Sequence, residues 1–238
     1  MKFLLIIVSF MLTACANSYS DFYKSNTNES YISTLEILKD GNKPILIKTD
    51  DIENSLNIYM SKGFDIIGQS FFNGEMHTED QLILVATQVK STHVLYGAKF
   101  VTTQATSTPL ILPNGFGGFN AAAINRQSLR YEQGAVFLAK MKELPRFGGV
   151  FDDLTPDQRR KFGRNTGVVI KIVVEKTAAF NANLLVGDLI IELNGRSIAN
   201  IEELSKIFNS IESNANGFNI KLIRDSKIKD IDLIFVKK

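Results

Sequence analysis

The sequence predicts a mixed fold, α/β in its first part and α+β in its second. Three observations carry this. Strand-like and helix-like patterns alternate between residues 44 and 102, Pro145 marks a break, and the chain beyond it has its own tight-turn pairs and one amphipathic helix. The expected organisation is a leader over 1–14, a tether over 15–34, a small N-terminal α/β layered domain over 35–142 whose role the sequence leaves open, and a second domain over 143–238.

The leader is read from charge and hydropathy. Lys2 is the one charge before Asp21, and Phe3–Met11 is apolar apart from Ser9, a basic start and an apolar run too short to span a bilayer. It ends in Leu12-Thr13-Ala14-Cys15, which resembles the lipobox of bacterial lipoproteins, where the chain is cut before an acylated Cys. Cys15 is the single cysteine, so no internal disulfide is open to it and lipidation gives the thiol a use. A plain secretory signal that happens to precede a Cys is the alternative. Several acyl chains, at ~0.8 kcal/mol per buried CH₂, would hold the protein on a bilayer. Ala16 in place of Asp, by resemblance to the sorting rule of enteric bacteria, implies the outer membrane, facing the periplasm. Residues 16–34, rich in Ser and Asn and without an apolar period, read as a solvated tether.

Pro44–Ile47 then reads as a short strand. Residues 51–62 place Ile52, Leu56 and Tyr59 at helical spacing, with Asp50 or Asp51 as N-cap and Gly63 as stop. Residues 64–71 read as a strand, 79–90 as a helix with Leu82, Val85, Ala86 and Val89 on one stripe, and 92–102 as a strand. Strand, helix and strand make a βαβ unit with parallel strands. Residues 103–128, with Pro109, Pro113 and three glycines, read as irregular, and 128–141 as a strand pair or one long bent strand.

Beyond Pro145 each piece has a local reason. Thr155-Pro156 is an N-cap followed by a proline at the first helical position. Gly187-Asp188 pairs a cheap positive φ with a carboxylate able to cap amides, and Asn194-Gly195 between apolar runs is a hairpin signal. Residues 201–211 set Ile201, Leu204, Phe208 and Ile211 on one face.

Taken in order, Arg146-Phe147-Gly148-Gly149-Val150, the strand Gly167–Ile170, the small-residue turn Ala178–Ala182, Leu185–Ile190 with Leu193-Asn194-Gly195, and Ile220–Asp225 resemble the PDZ domains of HtrA-type envelope proteases. The resemblance covers residues 146–238. It implies a PDZ-like partly open β-barrel with two helices that binds extended or C-terminal peptide segments by β-augmentation. The terminal carboxylate would sit on the amides of Phe147, Gly148 and Gly149, with Arg146 adding charge, and the last apolar side chain would enter a pocket between Phe147, Val150, Leu204 and Phe208. Core packing would equally explain Leu204 and Phe208, a tight turn the glycines, and solvation Arg146. Ser226 stands where the family usually has a turn glycine, and Gly149 where many members have an aliphatic residue, with Val150 able to fill that role. Residues 63–74 and 92–104 are similar to the N-terminal part of bacterial lipoproteins that end in a PDZ domain, which implies the same architecture and no activity.

Several function classes fall away. A net charge of +2 gives no reason to expect nucleic acid, and no cofactor is expected. The residues ahead of the PDZ-like part are too few for a trypsin-like protease and lack its Ser motif. His77, beside Glu75, Glu79 and Asp80, reads as solvated rather than as a metal ligand, and His93 as packing or surface. The glycine-rich 114–119 lacks the Lys and Ser/Thr of a phosphate loop. The expectation is a non-enzymatic envelope lipoprotein that captures C-termini of envelope proteins. The alternative is a docking component of a secretion or assembly complex, its groove filled.

Overall fold

Two six-stranded sheets divide the computed structural model, which describes residues 17–113, 119–211 and 215–235, with 108–113 and 119–125 as backbone only. Cys15, the lipobox and the glycine-rich segment at 114–118 lie outside the described residues.

The first sheet begins earlier than its sequence suggests. Helix α1 (Ser18–Asp21) is capped by Asn17, whose side chain also donates to the Gln81 carbonyl at 3.0 Å. Tyr19 is 2 % exposed, set edge-on to Phe72 at 4.9 Å, and burial pushes its hydroxyl up to about 12. Strand β1 (Tyr23–Ser25), helix α2 (Glu29–Ile32) and strand β2 (Leu35–Glu36) follow, β1 pairing with a later strand and Leu35 fully buried. The tether reading of 17–34 is therefore corrected. Isolated tyrosines anchor this segment, and such anchors leave no period to detect.

Strand β3 (Ile45–Lys48), helix α3 (Ile52–Ser61), strand β4 (Phe64–Gly74), helix α4 (Glu79–Gln88), strand β5 (His93–Pro113) and strand β6 (Phe119–Met141) complete this half. Asp51 caps α3 as expected, accepting from the Asn54 amide at 2.9 Å. The sheet order is β1-β4-β6-β5-β3. β4 and β5 run parallel, yet they are not neighbours: β6 lies between them, antiparallel to both. A hairpin return fills the gap that a βαβ unit would close, and antiparallel ladders are slightly the better pairing. Alternation along β5 and β6 separates the helices. Val94, Ala135 and Phe137 pack on α4, whereas Leu95, Val136 and Leu138 pack on α3, so the sheet is covered on both faces.

The expected irregular stretch is also corrected. Residues 103–113 and 119–128 are strand, paired from Thr103↔Leu129 to Pro113↔Phe119. Their regularity comes from a partner strand rather than from local propensity.

The second sheet is built from β7 (Gly149–Asp153), β8 (Val168–Val173), β9 (Leu189–Leu193), β10 (Arg196–Ser197), β11 (Gly217–Arg224) and β12 (Lys227–Ile234), ordered β12-β11-β9-β8-β7 with β10 on β9. It is an unclosed sheet around Ile170, Ile190, Leu193, Ile198, Ile220 and Leu222. Helices α6 (Ala178–Asn181) and α7 (Ile201–Ser210) are the expected two, and α5 (Pro156–Phe162), with its Thr155 capping box, is a third. Asn194 and Gly195 both take positive φ, as that hairpin requires. Asp225 and Ser226 do the same between β11 and β12, so serine keeps a two-residue turn there despite the missing glycine.

Asp188 is 2 % exposed, accepts from the Leu185 amide at 2.9 Å, and meets Arg224 through two bonds of 2.5 and 2.6 Å. Those bonds hold Arg224 above its ordinary pKa and tie the start of β9 to the end of β11. The sheets touch where α3 meets β8: the Glu175 amide donates to the Ser61 carbonyl at 2.7 Å, and Lys171 lies 3.3 Å from Glu53 and 3.5 Å from Asp152.

Candidate functional site

β7 is an edge strand. Its inner side pairs with β8, and its outer side faces α7, which runs antiparallel to it. The orientation is fixed at both ends: the Ile201 amide donates to Asp153 Oδ1 at 2.8 Å, and the Phe208 ring lies 5.2 Å from that of Phe147. Between strand and helix runs a hollow of about 430 Å³, lined by Pro145, Phe147–Phe151, Ile201, Leu204, Ser205 and Phe208. Its walls carry no charged side chain.

The loop at its head follows from local chemistry. The Phe147 carbonyl accepts from the Ala179 amide at 2.9 Å, and the Gly148 carbonyl from the Val174 amide at 2.8 Å. With both carbonyls tied inward, the Phe147 and Gly148 amides donate to no group among the described residues. Position 148 must be glycine twice over, since φ is +84° and a Cβ would run into Thr177. At Gly149 a Cβ would meet the rings of Phe147 and Phe151. Phe147 stacks on Phe151 at 5.6 Å and leans on Phe218 at 5.4 Å, which makes the floor rigid and aromatic.

The structure thus gathers Phe147, Gly148, Gly149, Val150, Leu204 and Phe208 around one hollow. Leu204, 3 % exposed, serves the core as well as the groove, so the two readings of that residue are not exclusive. Arg146 is placed elsewhere, and its expected role is corrected. Its guanidinium lies 3.9 Å over the Phe235 ring and donates to the Ala215 carbonyl, outside the lining of the hollow, because an aromatic face and a carbonyl satisfy it there. Phe151, Ile201 and Ser205 are lining residues that the sequence reading missed. Strand alternation from Gly149 gives Phe151, and one helical turn back from Leu204 and Ser205 gives Ile201.

His77 is not the solvated residue expected. Its ring meets Phe72 at 5.2 Å and Nδ1 lies 2.9 Å from Gln81 Oε1. No cluster of three or more metal-binding side chains occurs among the described residues. His93 packs as expected, 4.6 Å from the Phe64 ring. A second hollow, about 650 Å³, lies past the carboxyl end of β3, against Gly97–Lys99 of β5 and Glu132–Gly134 of β6, and has walls of mixed charge, including Asp50, Asp51, Lys99 and Glu132.

A free strand edge, a glycine-turned loop of unbonded amides and a helix alongside define a docking module of the PDZ class. Residues 145–234 match the family model of the PDZ domain. No curated protein matches the chain. Among solved structures, the HtrA3 PDZ domain bound to a phage-derived ligand (FGRWV) is 16% identical, over 37% of this chain and 81% of that one, with a TM-score of 0.32. The PDZ domain of EpsC from Vibrio cholerae, residues 219–305, is 17% identical, over 40% and 100%, at 0.29. The HtrA-type protease AlgW with a tripeptide is 15% identical, over 55% and 52%, at 0.33.

Proposed function

We propose that this protein is a lipid-anchored envelope adaptor whose PDZ domain captures C-terminal or extended segments of other envelope proteins. The observation that carries the proposal is the open outer side of β7, lying along an apolar hollow headed by unbonded amides. An incoming strand adds to β7 by main-chain hydrogen bonds, over about five residues given the length of Gly149–Asp153. Its carboxylate takes the Phe147 and Gly148 amides, in a nest that needs no arginine. Its final side chain enters between Phe147, Leu204 and Phe208. The lipobox at Cys15 supports the anchor, and Ala16 supports the outer membrane, with the folded part in the periplasm. The same reading divides the chain into leader, anchor, α/β domain and peptide-binding domain, with no chemistry of its own.

A peptide array read with the full protein tests this. Peptides with apolar C-termini should bind, C-terminal amidation should weaken them at least tenfold, and Ser205→Trp, at an exposed position on the wall of the hollow, should abolish binding while preserving the circular-dichroism spectrum. Equal binding of acid and amide forms removes the carboxylate nest, and an array on which wild type and Ser205→Trp are alike removes the proposal. Radiolabelled palmitate should enter the wild type and not Cys15→Ser; label in both would refute the anchor.

A further inference from the structure

Part of the β5–β6 hairpin stands clear of its sheet. β3 flanks β5 as far as Tyr96, and β4 flanks β6 from the other end up to Tyr131. From Thr102↔Arg130 to Pro113↔Phe119, twelve pairs in all, the two strands pair only with each other among the described residues. At about 3.3 Å per residue this ribbon extends roughly 40 Å. Thr102–Ser107, Arg126, Gln127 and Leu129 are exposed, Leu129 at 51 %. A two-stranded ribbon with both edges open is at best marginally stable alone in water, so it calls for a partner.

The edges differ in how they are guarded. β12, the outer strand of the other sheet, carries Lys227, Lys229, Asp230 and Asp232 within eight residues, the charge that keeps an edge from pairing. In the ribbon, β5 is interrupted by Pro109 and Pro113. The outer edge of β6 has neither device. Residues 119–128 (FNAAAINRQS) contain no proline and a single charge, Arg126, near the base.

We infer that this β6 edge pairs antiparallel with the same edge of a second copy, joining two ribbons into a four-stranded sheet about a two-fold axis. An antiparallel main-chain ladder is its own complement under two-fold rotation, so a second copy fits without matched side chains. A register centred on Ala121–Ala123 sets small residues opposite one another and carries the two Arg126 residues away from each other along the ladder. Ribbon against ribbon buries less than a standard interface, so the dimer forms and dissociates with concentration.

The test uses the full chain in mild detergent. Sedimentation velocity should show the monomer doubling in protein mass as concentration rises. Single cysteines introduced in turn at 119–128 should form disulfide-linked dimers with a maximum near Ala122, and Lys229→Cys on β12 should not. Replacing residues 103–129 by Asn-Gly, which keeps the Thr102↔Arg130 pair, should leave a monomer, whereas Ser205→Trp should still dimerise, which keeps failure of the peptide reading distinct. A monomer at every concentration, a dimer that survives the shortened ribbon, or ribbon cysteines that crosslink only to another protein or are shielded only by lipid would each overturn the inference. Because the cysteine scan leaves the hairpin intact, it decides the matter even if the shortened variant does not fold.

Discussion

β7 and β12 are the two outer strands of one sheet, and only β7 lies beside an apolar hollow that lines its outer side. Both expose a row of main-chain groups. On β12 the charges are left at the surface: Lys227, Lys229, Asp230 and Asp232 are all exposed. On β7 the two acids are engaged, Asp152 with Lys171 at 3.5 Å and Asp153 with the Ile201 amide at 2.8 Å. The rest of that strand, Gly149, Val150 and Phe151, faces an apolar hollow with a helix behind it. An open edge can receive another strand where apolar surface lies alongside it, as beside Gly149–Phe151; an edge studded with exposed Lys and Asp along its length resists such pairing.

The strongest way to break this contrast is to remove what holds the sheet between its edges. Asp188 and Arg224 are nearly dry, with side-chain exposures of 1 % and 14 %. Asp188→Ala leaves a guanidinium and the Leu185 amide without their acceptor, and loss of one partner of a buried pair costs about 3–5 kcal/mol. Urea denaturation followed by far-UV circular dichroism should show that loss, with peptide binding at β7 falling alongside. A change below about 1 kcal/mol would mean that water reaches the pair and that the sheet is not pinned there.

A smaller effect separates the two sheets. Both histidines belong to the half built on the first sheet, His93 at the start of β5 and His77 in the loop between β4 and α4. Burial beside Phe64 and Tyr59 pushes His93 below its ordinary value. A folded-state value below the unfolded one means that protons favour the unfolded chain. The contribution of His93 is complete above the ordinary pKa of about 6.5 and is lost as pH falls through that value towards the folded one. The melting temperature should therefore drop more steeply between about pH 7.5 and 5.5 in the wild type than in His93→Phe. Peptide affinity at β7, remote from either histidine in sequence and sheet, should stay level over that range. Parallel melting curves for the two proteins would show that His93 titrates as it does in water.

What the sequence made legible follows the same division. The second sheet announces itself because its turns are chemical: Gly187-Asp188, Asn194-Gly195 and Thr155-Pro156 each demand one local geometry, and each takes it. The hollow was legible from Phe147 to Val150 and from the stripe Leu204–Phe208 because a loop and a helix face are both local patterns. Arg146 was misplaced since its partners, Ala215 and Phe235, are distant in sequence. The first sheet hid more. Tyr19, Tyr23 and Leu35 bind residues 17–36 to strands far along the chain, and the ribbon is regular only because β5 and β6 find each other. Prolines and glycines in that stretch read as irregular when each strand is taken alone.

The smallest expected effect sharpens the guarded side of the contrast. Asp225 and Ser226 turn β11 into β12 at φ of +53° and +60°, a conformation that favours glycine at both positions. Serine carries a steric cost there in the folded state, and glycine relieves it while loosening the unfolded chain. The two terms oppose one another, and at positive φ the first is the larger, so Ser226→Gly should raise stability by about 0.5–1 kcal/mol. Because the turn lies at the β12 side, peptide affinity at β7 should not move. A melting temperature that falls instead would show that Ser226 makes a contact worth more than its backbone strain, and a change in affinity would show that the two edges communicate through the sheet.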